Sequence, residues 1–145
     1  MRVSYPLPHD MPHKPLIERA RSLIGKATYR GNAMLNEAPD VVNCFRFTQW
    51  VWLSVGITLP DKQLTCPAVA INELAAADLV FVPRRNRTTA TDDFGHVGIA
   101  TGENTVIHAT KWRNTVVEDS LDSFLSRGLL GVRRVAFPRS TVAAE

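Results

Sequence analysis

The stretch Asp40-Val-Val-Asn-Cys-Phe-Arg-Phe-Thr-Gln-Trp-Val-Trp-Leu-Ser-Val-Gly56 admits few folds. Phe47, Trp50, Val51 and Val55 recur at helical spacing, while Phe45, Trp52 and Leu53 make the other side apolar as well. A helix apolar nearly all round belongs in the middle of a domain, so the rest of the chain has to wrap it. Asn43 or Asp40 can cap its start, because a short side-chain oxygen accepts the first-turn N–H groups that have no carbonyl one turn back. Gly56 ends it where the chain has to turn. Cys44 then falls in the first turn, where outward N–H groups and the helix dipole favour a thiolate over a thiol. The plainer alternative is a buried structural cysteine, since free cysteine is among the most buried residue types.

At 145 residues the chain is one domain's worth, with enough apolar residues (45%) for a core that needs no staples. The net charge of +3 comes from dispersed basic residues, with short clusters at Arg84-Arg85-Asn-Arg87 and Arg133-Arg134. No recognition motif or aromatic interleaving accompanies them, so nucleic acid is not the expected partner. Two cysteines, Cys44 and Cys66, do not make a disulfide scaffold. No stretch reaches membrane-spanning length, and the first residues lack a continuous apolar core of signal-peptide length. As written, the chain is expected in the cytoplasm unless another route exports it, and its oligomeric state is left open.

Taken in order, residues 1–15 read as an extended arm broken by Pro6, Pro8, Pro12 and Pro15, with His9 and His13 as surface histidines. Residues 16–138 form the single domain and 139–145 a tail. Leu16, Ile17, Ala20, Leu23 and Ile24 recur at 3.6 spacing between Pro15 and Gly25, which predicts an amphipathic helix. Residues 68–77 read as weakly helical, and Asp78–Pro83 as a short strand. Arg84–Phe94 is a polar loop. Gly95–Gly102 and Asn104–Thr110 are two strands joined through Gly-Glu-Asn, a hairpin signal. Thr115–Glu118 is a further strand, Ser120–Gly128 a short helix with a glycine stop, and Val132–Phe137 the last strand. Helices first and strands second predict an α+β fold, an antiparallel sheet packed on the central helix.

The hairpin carries His96 on one strand and His108 on the other, 12 residues apart (108 − 96). Each alone is more often structural. With a cysteine at a helix start, they meet a definite chemical need. A thiol attacks a carbonyl as a thiolate, and an imidazole takes its proton and later returns it to the leaving amine. A third polar group, a role open to His108, fixes that imidazole's tautomer. Zinc is the competing reading of one cysteine and two histidines, but the short ligand pairs of a structural site and a fourth ligand are missing from the pattern.

Several segments, in order, resemble the NlpC-type cysteine peptidases of bacterial cell walls, a family with a papain-like α+β core. Leu23-Ile-Gly-Lys-Ala-Thr-Tyr-Arg-Gly31 is similar to the family's Leu-Gly-x-Pro-Tyr-x-x-Gly, and Asn43-Cys-Phe-Arg-Phe47 to its Asp-Cys-Ser-Gly-Phe. Val55-Gly-Ile-Thr-Leu-Pro60 resembles its Gly-Ile-x-Leu-Pro, and Ala77-Asp-Leu-Val-Phe81 its Gly-Asp-Leu-Val-Phe. Gly95-His-Val-Gly-Ile-Ala-Thr-Gly-Glu-Asn-Thr-Val-Ile-His-Ala109 is similar to its His-Val-Gly-Ile-x-x-Gly…His-Ala hairpin almost position for position. The likeness spans roughly residues 16 to 112.

The resemblance implies Cys44 as nucleophile, His96 as base, His108 as orienting residue and Tyr29 near the oxyanion, with the Cys44 N–H as second donor. It implies hydrolysis of an amide in peptidoglycan stem peptides, between D-glutamate and a diamino acid, with no metal or cofactor. Three positions depart from the pattern. Asn43 replaces the aspartate that helps hold a free substrate amine. Phe45 and Arg46 replace serine and glycine, adding bulk beside the nucleophile and, at Arg46, a cation for a substrate carboxylate. These three are the candidate substrate-binding residues. Two other readings remain open at this stage: acyl transfer by the same triad to an acceptor other than water, and a binding module that has lost turnover.

Overall fold

The computed structural model describes residues 13–83 and 95–136. The N-terminal arm up to residue 12, the polar loop 84–94 and the tail 139–145 lie outside the described residues. The first helix, α1 (His13–Arg21), buries Leu16, Ile17 and Ala20 on one face, as the 3.6 period demands. It begins two residues before Pro15, the expected first helical position. Proline is tolerated there because a first-turn N–H needs no intrahelical acceptor. His13 is therefore helical and half-buried rather than part of an arm.

Two short strands follow, β1 (Thr28–Tyr29) and β2 (Val41–Val42), paired in parallel with Tyr29 opposite Val42. The central helix α2 (Cys44–Leu53) comes straight after β2. Gly56, at φ +78°, makes the turn out of its end, a conformation that costs glycine nothing. One side of α2 carries polar groups that the apolar reading passed over. Thr48, Gln49 and the neighbouring Gln63 are buried, and each is satisfied. The Thr48 hydroxyl lies 2.7 Å from Gln63 Oε1, and Gln49 Nε2 donates to the Leu59 carbonyl. Buried amides and hydroxyls are retained only when paired in this way.

The remaining strands are β3 (Ala68–Val69), β4 (Leu79–Val82), β5 (His96–Ala100), β6 (Thr105–Thr110), β7 (Thr115–Ser120) and β8 (Gly131–Arg133). They form one six-stranded sheet in the order β3-β8-β4-β5-β6-β7, with every ladder antiparallel. The short helix α3 (Leu121–Leu125) leads out of β7, capped by Ser120. Among the described residues the last strand runs over Gly131–Arg133, and Phe137, the end of the expected strand, lies outside them.

Residues 68–77 are not helical. Ala68 and Val69 pair with Arg133 and Val132 at the sheet edge, and only a single 3-10 turn, Ile71–Glu73, follows. Alanine's helix preference is worth a fraction of a kcal/mol per residue. The edge ladder and the buried Asp78 carboxylate outweigh it. Asp78 accepts the Ala75 N–H and the fork of Arg134, which ties this segment to the end of β8.

Both faces of the sheet are covered, so β4 and β5 are buried throughout. Leu79, Phe81, Val97, Ile99, Ile107 and Ala109 join the main cluster with Phe47, Val51 and Trp52 of α2. Val80, Val82, Ala100 and Val106 point the other way and pack with Phe124 of α3. α2 lies across β5 and β6, and α1 backs onto α2, where the Arg19 guanidinium sits 3.7 Å over the Trp50 ring. Among the described residues no helix is long and apolar enough to cross a membrane.

Candidate active site

The site begins at the N-terminal end of α2. Asn43, not Asp40, is the cap: its Oδ1 accepts the Arg46 N–H at 2.7 Å, while its Nδ2 donates to the Gly31 carbonyl at 3.0 Å. Both ends of the amide are thus committed to holding the helix against the loop that precedes it. Arg46 is also held within the framework. Its Nε donates to the Ala33 carbonyl, and its Nη1 to Gln49 Oε1 at 2.9 Å and Asp61 Oδ1 at 3.0 Å. Gln49 and then Arg46 hold the Asp61 carboxyl below the usual carboxylate range. Two of the three residues expected at the substrate therefore serve the architecture. Phe45 is half-buried against the main core.

Cys44 opens α2 and is buried, with 5% of its surface exposed. Cys44 and Cys66 are not joined in a disulfide. Cys66 is half-buried on the β3–β8 side, where burial pushes its thiol up against the opposing pull of Arg133. Tyr29 reaches the same end of the molecule through backbone pairing. Its partner Val42 lies two positions before Cys44, and its N–H donates to the Asn114 carbonyl in the β6–β7 turn. Tyr29, Arg30, Gly31, Lys111 and Asn114 line a recess of about 430 Å³ there.

The two histidines are brought together. β5 and β6 pair with Ile99 opposite Ile107 and Ala100 opposite Val106. His96 Nε2 and His108 Nδ1 lie 2.7 Å apart, with the rings nearly perpendicular. Both rings pack on Phe124, at centroid distances of 5.6 and 4.8 Å. These ring nitrogens face each other rather than a shared point, which suits proton sharing better than metal binding.

One neighbour of the histidine pair was missed by sequence reasoning. His108 Nε2 lies 2.8 Å from Asp119 Oδ2, and Arg113 Nη2 donates to both Asp119 oxygens at 2.9 and 3.1 Å. The β6–β7 register explains the contact: Val106 opposes Asp119 and His108 opposes Val117, so His108 and Asp119 are diagonal neighbours on one face. Burial raises the Asp119 carboxyl, but the hydrogen bonds from His108 and Arg113 outweigh it and hold the group below the usual range. Burial pushes His108 below an ordinary imidazole, against the pull of Asp119, and Arg127 and Arg113 add to the lowering. The only local signal was an acidic pair at the end of a β-rich run, which the strand expectation cut off at Glu118.

Comparison with known proteins agrees with this architecture. A solved NlpC/P60 family protein from Bacillus cereus superposes with a TM-score of 0.70 at 22% identity, covering 91% of this chain and 41% of that one. The peptidoglycan hydrolase RipB of Mycobacterium tuberculosis superposes with a TM-score of 0.64 at 19% identity, covering 84% and 63%. A probable endopeptidase of Corynebacterium glutamicum is 32% identical over 111 residues, covering 74% of this chain and 47% of that protein. The chain thus spans about half the length of the curated relatives it matches. The sequence model of the NlpC/P60 family matches residues 28–134, from Tyr29's strand through both hairpin histidines to the last strand. The chain belongs to the NlpC/P60 family.

Proposed function

We propose that the chain is a cysteine hydrolase that cleaves an amide bond in peptidoglycan stem peptides or a closely related peptide, of the γ-D-glutamyl-diamino acid type, through a thioester. The observation that carries the reading is the hydrogen-bonded His96–His108 pair on the two strands that α2, with Cys44 at its start, lies across. Family membership and relatives named as an endopeptidase and a peptidoglycan hydrolase support the substrate class.

In this mechanism His96 takes the Cys44 proton and the thiolate attacks the amide carbon. The Cys44 N–H, aimed outward from the first turn, and the Tyr29 hydroxyl stabilise the oxyanion. The C–N bond breaks as His96 returns the proton to the leaving amine, leaving a thioester on Cys44. Water, deprotonated by His96, adds to the thioester and releases the acid and the free thiol. Asn43, an amide, carries no carboxylate for a substrate amine, and both ends of that amide are committed within the framework. Lys111 gives the recess beside Tyr29 a basic group, while Arg30 on the same rim is already paired with Glu37. The substrate is accordingly expected to present an acyl or carboxylate group there rather than a free ammonium.

The test is the pH dependence of iodoacetamide alkylation at Cys44, with Cys66 changed to Ser, in the native protein and in His96→Ala. An apparent pKa well below the free-thiol value of about 8.5, and raised when His96 is lost, supports an activated pair. Cleavage of defined muropeptides then identifies the bond. An unreactive thiol with ordinary titration sinks the hydrolase reading.

A further inference from the structure

We propose that Asp119, clamped by Arg113, is a positioning residue that sets the direction of the hydrogen bond between His108 and His96, and so leaves His96 Nδ1 as the lone pair that receives the thiol proton. The inference rests on the hydrolase reading above and extends it by one residue beyond the cysteine and two histidines.

The argument is one of proton counting. An ionised carboxylate only accepts, so the 2.8 Å contact at Asp119 Oδ2 requires the proton on His108 Nε2. His108 is buried, with Phe124 against its face, and carries a single proton at neutral pH. Its Nδ1 is then bare and acts as an acceptor. The nitrogen 2.7 Å away, His96 Nε2, has to be the donor. A neutral His96 with its proton on Nε2 has its lone pair on Nδ1, the atom able to act as a base.

Without the carboxylate the same two rings could be bonded in the opposite sense. His108 would donate from Nδ1 to His96 Nε2, the His96 proton would move to Nδ1, and the base would be lost with no atom displaced by more than a hydrogen. Two neutral histidine rings have only a small intrinsic preference, for the proton on Nε2, and a nearby charge or hydrogen-bond donor can reinforce or reverse it. Arg113 keeps that charge in place through two bonds to the same carboxylate. Among the described residues, the charged groups acting on His108 are Asp119 from β7, Arg113 from the β6–β7 turn and Arg127 beyond α3.

The experiment is nitrogen NMR of the imidazoles at pH 7.5 in wild type, Asp119→Asn and Asp119→Glu, alongside the rate of Cys44 alkylation in a Cys66→Ser background. Wild type is expected to show His108 protonated on Nε2 and His96 bare on Nδ1. Asp119→Asn is isosteric and can turn an N–H toward His108, so both tautomers should invert and alkylation at pH 7.5 should slow at least tenfold. Asp119→Glu should keep the wild-type tautomers and recover most of the rate. Wild-type His108 protonated on Nδ1, or tautomers unchanged in Asp119→Asn, overturns the proposal. Tautomers as expected with a wild-type thiol that does not react support the proton arrangement and count against the hydrolase reading instead.

Discussion

Single side chains at the start of α2 divide into Cys44, to which the proposed reaction assigns the chemistry, and those that hold the helix start in place. Asn43 shows the second role clearly, since one amide both caps the helix and grips the Gly31 carbonyl. Replacing it with Ala removes both bonds, and a lost cap alone costs about 1 kcal/mol. Chemical denaturation of Asn43→Ala should therefore show a loss of about 1–2 kcal/mol, together with a less reactive Cys44. Cys44→Ala should abolish turnover while leaving the denaturation midpoint nearly unchanged, because it removes one sulfur at a helix end. Residual hydrolysis in that variant would refute the nucleophile assignment. His96→Ala should slow turnover more than His108→Ala, since proton transfer contributes more than orientation. A larger loss at His108 in steady-state kinetics would mean the two roles are exchanged.

At the level of elements, the site depends on how closely β5 and β6 approach. Gly98 lies two residues after His96 on β5 and against His108 of β6, and a Cβ built there would stand 2.4 Å from Val106 Cγ1 and 3.1 Å from both His108 Cβ and the Ile107 carbonyl. The family-like His-Val-Gly-Ile run thus needs its glycine for space rather than for backbone freedom. Gly98→Ala should push β6 away, lower stability by about 1–3 kcal/mol and reduce turnover at least tenfold by parting His96 from His108. A variant with wild-type melting temperature and wild-type rate would contradict this packing account. The helix–strand contact is steadied at its far side by α1, where Arg21 forms a forked pair with Glu118 of β7. That pair lies at the surface, and such pairs are worth well under 1 kcal/mol on average, about 0–1.

Across the whole molecule, buried and paired titratable groups make stability depend on pH in one direction. His108 has its folded pKa lowered, so the unfolded chain binds its proton first as pH falls through about 6.5. Asp119 and Glu118 are also lowered, and their stabilisation, present above the unfolded carboxylate value of about 4, is lost as pH drops through the folded one. The denaturation midpoint should therefore decline from pH 7.5 to 5.5 and again below 4. His108→Gln should flatten the upper part of that decline, and an unchanged slope in that variant would remove His108 as its cause. How much of this could be read in advance follows from the range of each interaction. The apolar run that makes α2, the cysteine at its start, the hairpin placing His96 and His108 on facing strands and the succession of family-like segments are all local patterns, and periodicity of 3.6 or 2 displays them in the chain itself. The helical reading of residues 68–77 failed because an edge ladder with β8 overrode alanine propensity. Asp119 and the framework bonds of Asn43 and Arg46 likewise depend on partners 11, 12 and 15 residues away, at His108, Gly31 and Asp61. Sequence by itself determined most of the elements and the reactive residue types. Tertiary structure alone decided which polar groups meet, because strand register and loop packing set those distances and neither leaves a periodic trace along the chain.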